Sequence, residues 1–219
     1  MKQYIQNFKK FQPLLEELVA RDIKIKYRRS VLGVLWTLLN PLLMMIVLSV
    51  VFSNLFKFDV ENFPLFILSG QVIFNFFSES TTNAMGAILG NASLIRKIYV
   101  PKYLFVISRI FSSFINLMAS FTALLLVMVV TRAELHWTVI LVPIPLVLLV
   151  AFSMGIGLIL SAIAVKFRDI MHLYSVFITA LMYLTPVIYP MSIYRIADSD
   201  RRAESDYEYY ADVQRCNAV

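Results

Sequence analysis

The chain has 219 residues, 59% of them hydrophobic and only 16% charged, with a formal net charge of +6 and a mean hydropathy of +0.74. Soluble domains are about half apolar and about 25% charged, so this composition excludes an ordinary soluble globule. The charges fall in short blocks between long apolar runs, as in a polytopic helical membrane protein, and runs such as Leu42 to Phe52 do not alternate as the strands of an outer-membrane barrel would.

The first thirty residues carry eight Lys or Arg and three acids, and no apolar core begins before Val31, so no secretory signal is read there. Apolar residues recur at Phe11, Leu14, Leu15, Leu18, Val19, Ile23 and Tyr27, a helical stripe flanked by Lys24, Lys26, Arg28 and Arg29. This predicts an N-terminal amphipathic interfacial helix, with Arg21, Asp22, Tyr27, Arg28 and Arg29 at its working end. It can serve as a topology anchor on anionic headgroups or as a contact for a cytoplasmic partner.

Five spans follow: Val31 to Phe56, Phe63 to Ala84, Leu104 to Val130, Val139 to Val165 and Leu173 to Tyr189. Each is close to the ~20 residues a helix needs to cross ~30 Å of hydrocarbon. Eight basic residues precede the first span. Arg96, Lys97 and Lys102 fall between the second and third, with Arg109 close behind in the first turns of the third, and Lys166 and Arg168 fall between the fourth and fifth. The opposite gaps hold Lys57 and Arg132. By the positive-inside rule the N-terminus and the two basic loops are expected in the cytoplasm. The basic pI of 9.4 is thus a matter of membrane topology, and no nucleic-acid partner is expected. The sequence divides into an interface helix at 1–30, a transmembrane domain at 31–191 and a polar tail at 192–219. The tail holds six acids and four Arg, and the one cysteine, Cys216, lies in it.

Asn91 to Pro101 is a short amphipathic cytoplasmic segment, with Ser93 as the expected N-cap and Pro101 as punctuation. Leu94, Ile95 and Ile98 form an apolar face beside Arg96, Lys97 and Tyr99. Such a helix, held between two spans, is suited to transmit force from a motor; the plainer reading is an ordinary interfacial loop. Lys166 to Asp169 joins the last two spans, with a local Arg168/Asp169 pairing expected and a second motor contact as the alternative. Polar residues singled out within the spans include Asn40, Asn75, Glu79, Asn116, Thr122, Ser153, Ser161 and Thr179. Glu79 is the one ionisable group among them, placed to snorkel or to bond a neighbouring helix. Gly86-xxx-Gly90 and Ser153-xxx-Gly157-xxx-Ser161 permit close helix packing. Phe74, Phe77 and Tyr183 belong to an aromatic set that could stack on sugar rings along a translocation path, although interfacial and lipid-facing aromatics are the commoner case.

No phosphate-binding loop is formed by the six glycines. The two histidines, His136 and His172, lie on opposite sides of the expected membrane, so no metal cluster is expected. No nucleophilic triad or carboxylate pair appears in the spans. An enzymatic role is therefore not expected, and any energy would come from another chain.

Together these stretches resemble the membrane subunit of type-2 ABC exporters, specifically the polysaccharide, O-antigen and teichoic-acid export permeases. The likeness is carried by Leu18 to Gly33, Leu35 to Pro41, Asn91 to Lys102, Lys166 to Asp169 and Thr185 to Pro190, and it covers about residues 8 to 193. It implies a homodimer of permeases with two ABC ATPase subunits that use ATP and Mg. In that arrangement Leu94 to Tyr99 would be the coupling helix, and Arg28 and Arg29 would meet the pyrophosphate of a lipid-linked glycan. The location implied is a bacterial inner membrane. The rival readings are a permease for drugs or small lipids and a membrane-embedded glycan-lipid transferase.

The family has six spans where this sequence shows five. From Ala203 onward, synonymous codons permit a one-nucleotide shift that reads LNPITNIMRMFRGAM, which resembles the family's continuation toward a last span. The expectation is an out-of-frame tail.

Overall fold

The computed structural model describes residues 2–27, 33, 35–55, 62–97, 99–132 and 141–187, and over these it is helical. The order is α1 (Lys2–Tyr27), α2 (Leu35–Leu55), α3 (Phe63–Gly90), α4 (Ala92–Lys97), α5 (Tyr103–Val130), α6 (Pro143–Lys166) and α7 (Ile170–Leu184). The five expected spans correspond to α2, α3, α5, α6 and α7. α5 and α6 are long and apolar enough to cross a membrane on those grounds alone, and α2 and α7 contribute shorter apolar stretches. α3 has 28 residues, about 42 Å at 1.5 Å per residue, but its second half is polar on one face.

α3 is the central helix, packed against α2, α4, α5, α6 and α7, while α1 lies on α5. The outer surface is apolar: Val129, Val147 and Val176 are 77%, 68% and 68% exposed. The interior instead holds buried Ser80, Thr81, Ser108, Ser113 and Ser153. Apolar groups outside and small hydroxyls inside are what a lipid solvent selects, because backbone and small polar groups pack helix against helix. Ser80, Thr81 and Ser108 return their hydroxyls to carbonyls three or four residues earlier. The Tyr174 hydroxyl donates to Thr81 Oγ1 at 2.7 Å, tying α7 to α3.

Small residues set the closest approaches. A Cβ on Gly157 would lie 2.8 Å from the Ala84 Cβ and 3.2 Å from Ile110 Cδ1. The Ser153/Gly157/Ser161 stripe therefore presses α6 onto α3 and α5. The other stripe does not act this way. A Cβ on Gly86 would meet only the tip of Met171, at 3.9 Å, and one on Gly90 would meet nothing. A Cβ on Gly70 would stand 3.1 Å from the Val187 carbonyl oxygen, so this glycine admits the turn after α7 against α3.

Proline punctuation explains two further features. Pro41 sits inside α2 and cannot donate to the Thr37 carbonyl one turn earlier. Ser120 on α5 donates to that carbonyl at 3.5 Å, a repair typical of membrane helices. Pro186 holds the preceding Thr185 extended, at φ −87° and ψ 139°. α7 consequently ends at Leu184 rather than running to Tyr189. The second span is longer than expected, reaching Gly90, and the first begins at Leu35. Val139 and Tyr189 lie outside the described residues, as do the polar tail at 192–219 and the out-of-frame reading of it.

Candidate functional site

The end of α1 delivers Arg21 and Asp22 into the junction of α3, α4 and α5. Asp22 is 7% exposed. Its Oδ1 accepts from Arg21 Nη2 at 3.1 Å, and its Oδ2 lies 3.3 Å from Arg109 Nε. Oδ2 has no aligned hydrogen bond among the described residues, so the Arg109 contact is an ion pair of charge rather than of geometry. A carboxylate buried this deeply requires such neighbours. Arg21 Nη2 also donates to Asn91 Oδ1 at 2.8 Å.

Asn91 is the hinge pin between α3 and α4. Its amide nitrogen donates to the Ala87 carbonyl at 2.8 Å, closing α3. Its backbone carbonyl accepts from Leu94 and Ile95, both at 3.0 Å, opening α4. Asn91, not Ser93, therefore stands at the start of α4. Leu94 and Ile95 pack inward on a cluster of Leu18, Ala84, Ala87, Phe105, Val106 and Ile110. The Leu94 and Ile95 part of the expected apolar face thus points into the protein. Arg96 and Lys97 are exposed, and Tyr99 is fully so. Ile98 lies outside the described residues.

A second assembly lies along α3. Asn75, Ser78, Glu79, Thr82 and Asn83 recur at helical spacing on one face. Glu79 Oε1 accepts from Lys26 Nζ at 2.7 Å and from Asn116 Nδ2 at 2.9 Å. Asn83 Nδ2 donates to Ser113 Oγ at 3.3 Å. All of these groups but Ser113, with Trp36, Thr37 and Asn40 of α2, line a cavity of about 460 Å³. A second cavity of about 320 Å³, reaching Asp22 and Arg109, shares Lys26, Glu79, Asn83 and Asn116 as walls. Polar walls thus run from the buried Asp22 site to the first two turns of α2.

Of the other residues singled out in the sequence, Tyr27 ends α1, and Arg28 and Arg29 lie outside the described residues. Arg168 and Asp169 are exposed in the α6–α7 turn. No ion pair joins them among the described residues; instead the Asp169 carbonyl accepts from His172 and Leu173 at 3.1 and 3.2 Å, starting α7. Phe77 is 9% exposed and stacks on Phe152 with ring centroids 5.9 Å apart. Phe74 packs on the same α3/α6/α7 cluster, and Tyr183 is 66% exposed. The structure does not gather these three aromatics into one surface. Sequence reasoning missed Asn91, Asn83 and the role of Arg109. The polar periodicity of α3 was the available signal for Asn83; the pairings of Asn91 and Arg109 span α1 and carry no local signature.

Residues 13–195 match the family described as ABC-2 type transporter. The chain is 33% identical over 182 residues to the O-antigen export system permease protein RfbA of Myxococcus xanthus, covering 83% of this chain and 70% of that protein. It is 28% identical to the protein of the same name from Klebsiella pneumoniae, over 80% of this chain and 68% of that one. It is 24% identical to the polysialic acid transport protein KpsM of Escherichia coli, over 81% of this chain and 70% of that one. With its outward apolar surface and its family match across most of its length, the chain belongs to the ABC-2 type transporter family of membrane proteins.

Proposed function

We propose that this chain is the permease subunit of an ATP-driven exporter of lipid-linked polysaccharide. Two copies would pair in the bacterial inner membrane, with the N-terminus and α4 in the cytoplasm, and two ABC ATPase subunits would supply ATP and Mg chemistry. Teichoic acid is an alternative cargo of the same class. The observation that carries the reading is the family match together with relatives whose names concern O-antigen export, polysialic acid transport and capsule polysaccharide export.

The geometry supports a route for force. A push on α4 would reach Asn91, then Arg21 and Asp22 on α1, then Arg109 on α5. The Arg21–Asn91 bond is short and charge-assisted, hence stiff, and the Asp22–Arg109 pair adds attraction without an aligned bond. The exposed Arg96, Lys97 and Tyr99 would form the motor contact, with Leu94 and Ile95 bracing the helix from behind. Arg168 and Asp169 would form a second contact at the same membrane face. Replacing Arg96 and Lys97 by Glu is expected to reduce co-purification with the ATPase at least tenfold while membrane insertion is unchanged. Undiminished co-purification in that variant would remove α4 from the motor contact.

A further inference from the structure

Asn40 on α2 and Asn75 on α3 face the same cavity, and both side chains are exposed. Neither carboxamide has a hydrogen-bond partner among the described residues. Both lie in helices that correspond to expected spans, where an unsatisfied amide is costly. Glu79, in the same wall, receives both its bonds on Oε1, so Oε2 accepts none among the described residues. Trp36 is 47% exposed and presents an indole at the rim.

Amide groups that both donate and accept, a carboxylate oxygen held ready by Lys26 and Asn116, and an aromatic plate are the complement of a sugar ring. Vicinal hydroxyls pair with amides and carboxylate, and the ring's C–H face covers the indole. The volume of about 460 Å³ lies within the ~300–1,000 Å³ of small-molecule sites. We propose that this groove between α2, α3 and α5 is a carbohydrate-binding station in each protomer, recognising neutral ring hydroxyls through Asn40, Asn75 and Glu79 with Trp36 as the stacking surface. This rests on the glycan-export reading and names which side chains touch the sugar. It places the contact in the polar groove of α3, apart from Phe77, which is packed in the interior.

The test uses the full chain in nanodiscs, alone and with its ATPase partner. A Trp137→Phe background leaves Trp36 as the sole reporter, since the chain has two tryptophans. The probes are the p-nitrophenyl glycosides of glucose, galactose, mannose and N-acetylglucosamine, whose chromophore quenches indole emission. p-Nitroanisole and inorganic pyrophosphate serve as controls.

At least one glycoside is expected to quench Trp36 saturably, with pyrophosphate not competing. Asn75→Leu and Glu79→Gln are each expected to weaken that binding about tenfold. Asn75→Leu removes no internal bond, and equal thermal stability of the variant protein is the check on folding. No saturable quenching by any of the four glycosides overturns the proposal, as does undiminished binding in Asn75→Leu. Competition by pyrophosphate overturns it too, making the groove an anion site around Lys26. If glycosides fail to bind but Arg96/Lys97 variants lose the ATPase as expected, the sugar station alone is wrong. If glycosides bind but no ATPase co-purifies, the permease reading is wrong and the site stands.

Discussion

Asp22 shows how much one buried carboxylate organises. Its side chain is 3% exposed, whereas those of Arg21 and Arg109 are 35% and 34% exposed. Removing it leaves two cations that water can partly rehydrate, so the cost falls below that of a fully buried pair. Asp22→Ala is expected to destabilise the chain by about 2 kcal/mol, measured as a lowered thermal transition in detergent. Adding Arg21→Ala should cost less than the sum of the single changes, because both act on one network. Full additivity would show that the three charges are independent. In the sequence, Asp22 was legible as part of a working helix end and Arg109 only as a topology charge. Their meeting depends on α1 lying along α5, which no local pattern encodes.

At the scale of elements, close packing and proline punctuation decide the outcome. Gly157 holds a position where any Cβ collides with Ala84 at 2.8 Å. Gly157→Ala should therefore cost about 1–3 kcal/mol by overpacking, and Gly90→Ala, in open space, should be neutral. Equal thermal stability of the two variants would refute the close approach of α6 to α3. Both glycines sit in small-residue motifs of identical spacing, so the sequence could not rank them; only the crossing of α6 over α3 does. The end of α7 at Leu184 has the opposite character. Pro186 was visible in the sequence, yet apolarity through Tyr189 suggested a longer span. The backbone restriction before proline overrides hydropathy there.

For the molecule as a whole, the direction of insertion is the decisive property. Ser93 is exposed in the first turn of α4, and Arg132 follows α5. In a Cys216→Ser background, Ser93→Cys is expected to resist a membrane-impermeant maleimide added to intact spheroplasts, while Arg132→Cys reacts. The reverse pattern would invert the topology. A permease working on glycans also needs a wetted route through an apolar shell. The polar face of α3 supplies the walls of such a route, and α2 and α5 complete them with Asn40 and Asn116.

The sequence by itself determined that the chain is helical and membrane-embedded, and from it come the expected amphipathic first helix and five spans. Those properties follow from hydropathy, period and charge asymmetry, which are sums over neighbouring residues. It also located Glu79 and the basic segment before Pro101. The tertiary structure alone decided which way Leu94 and Ile95 face, that Asn91 starts α4, and that Lys26 and Asn116 converge on one oxygen of Glu79. Those contacts join residues 53 and 37 positions apart in the chain. Their energies exist only once helices from distant parts of the sequence have been brought within hydrogen-bonding distance.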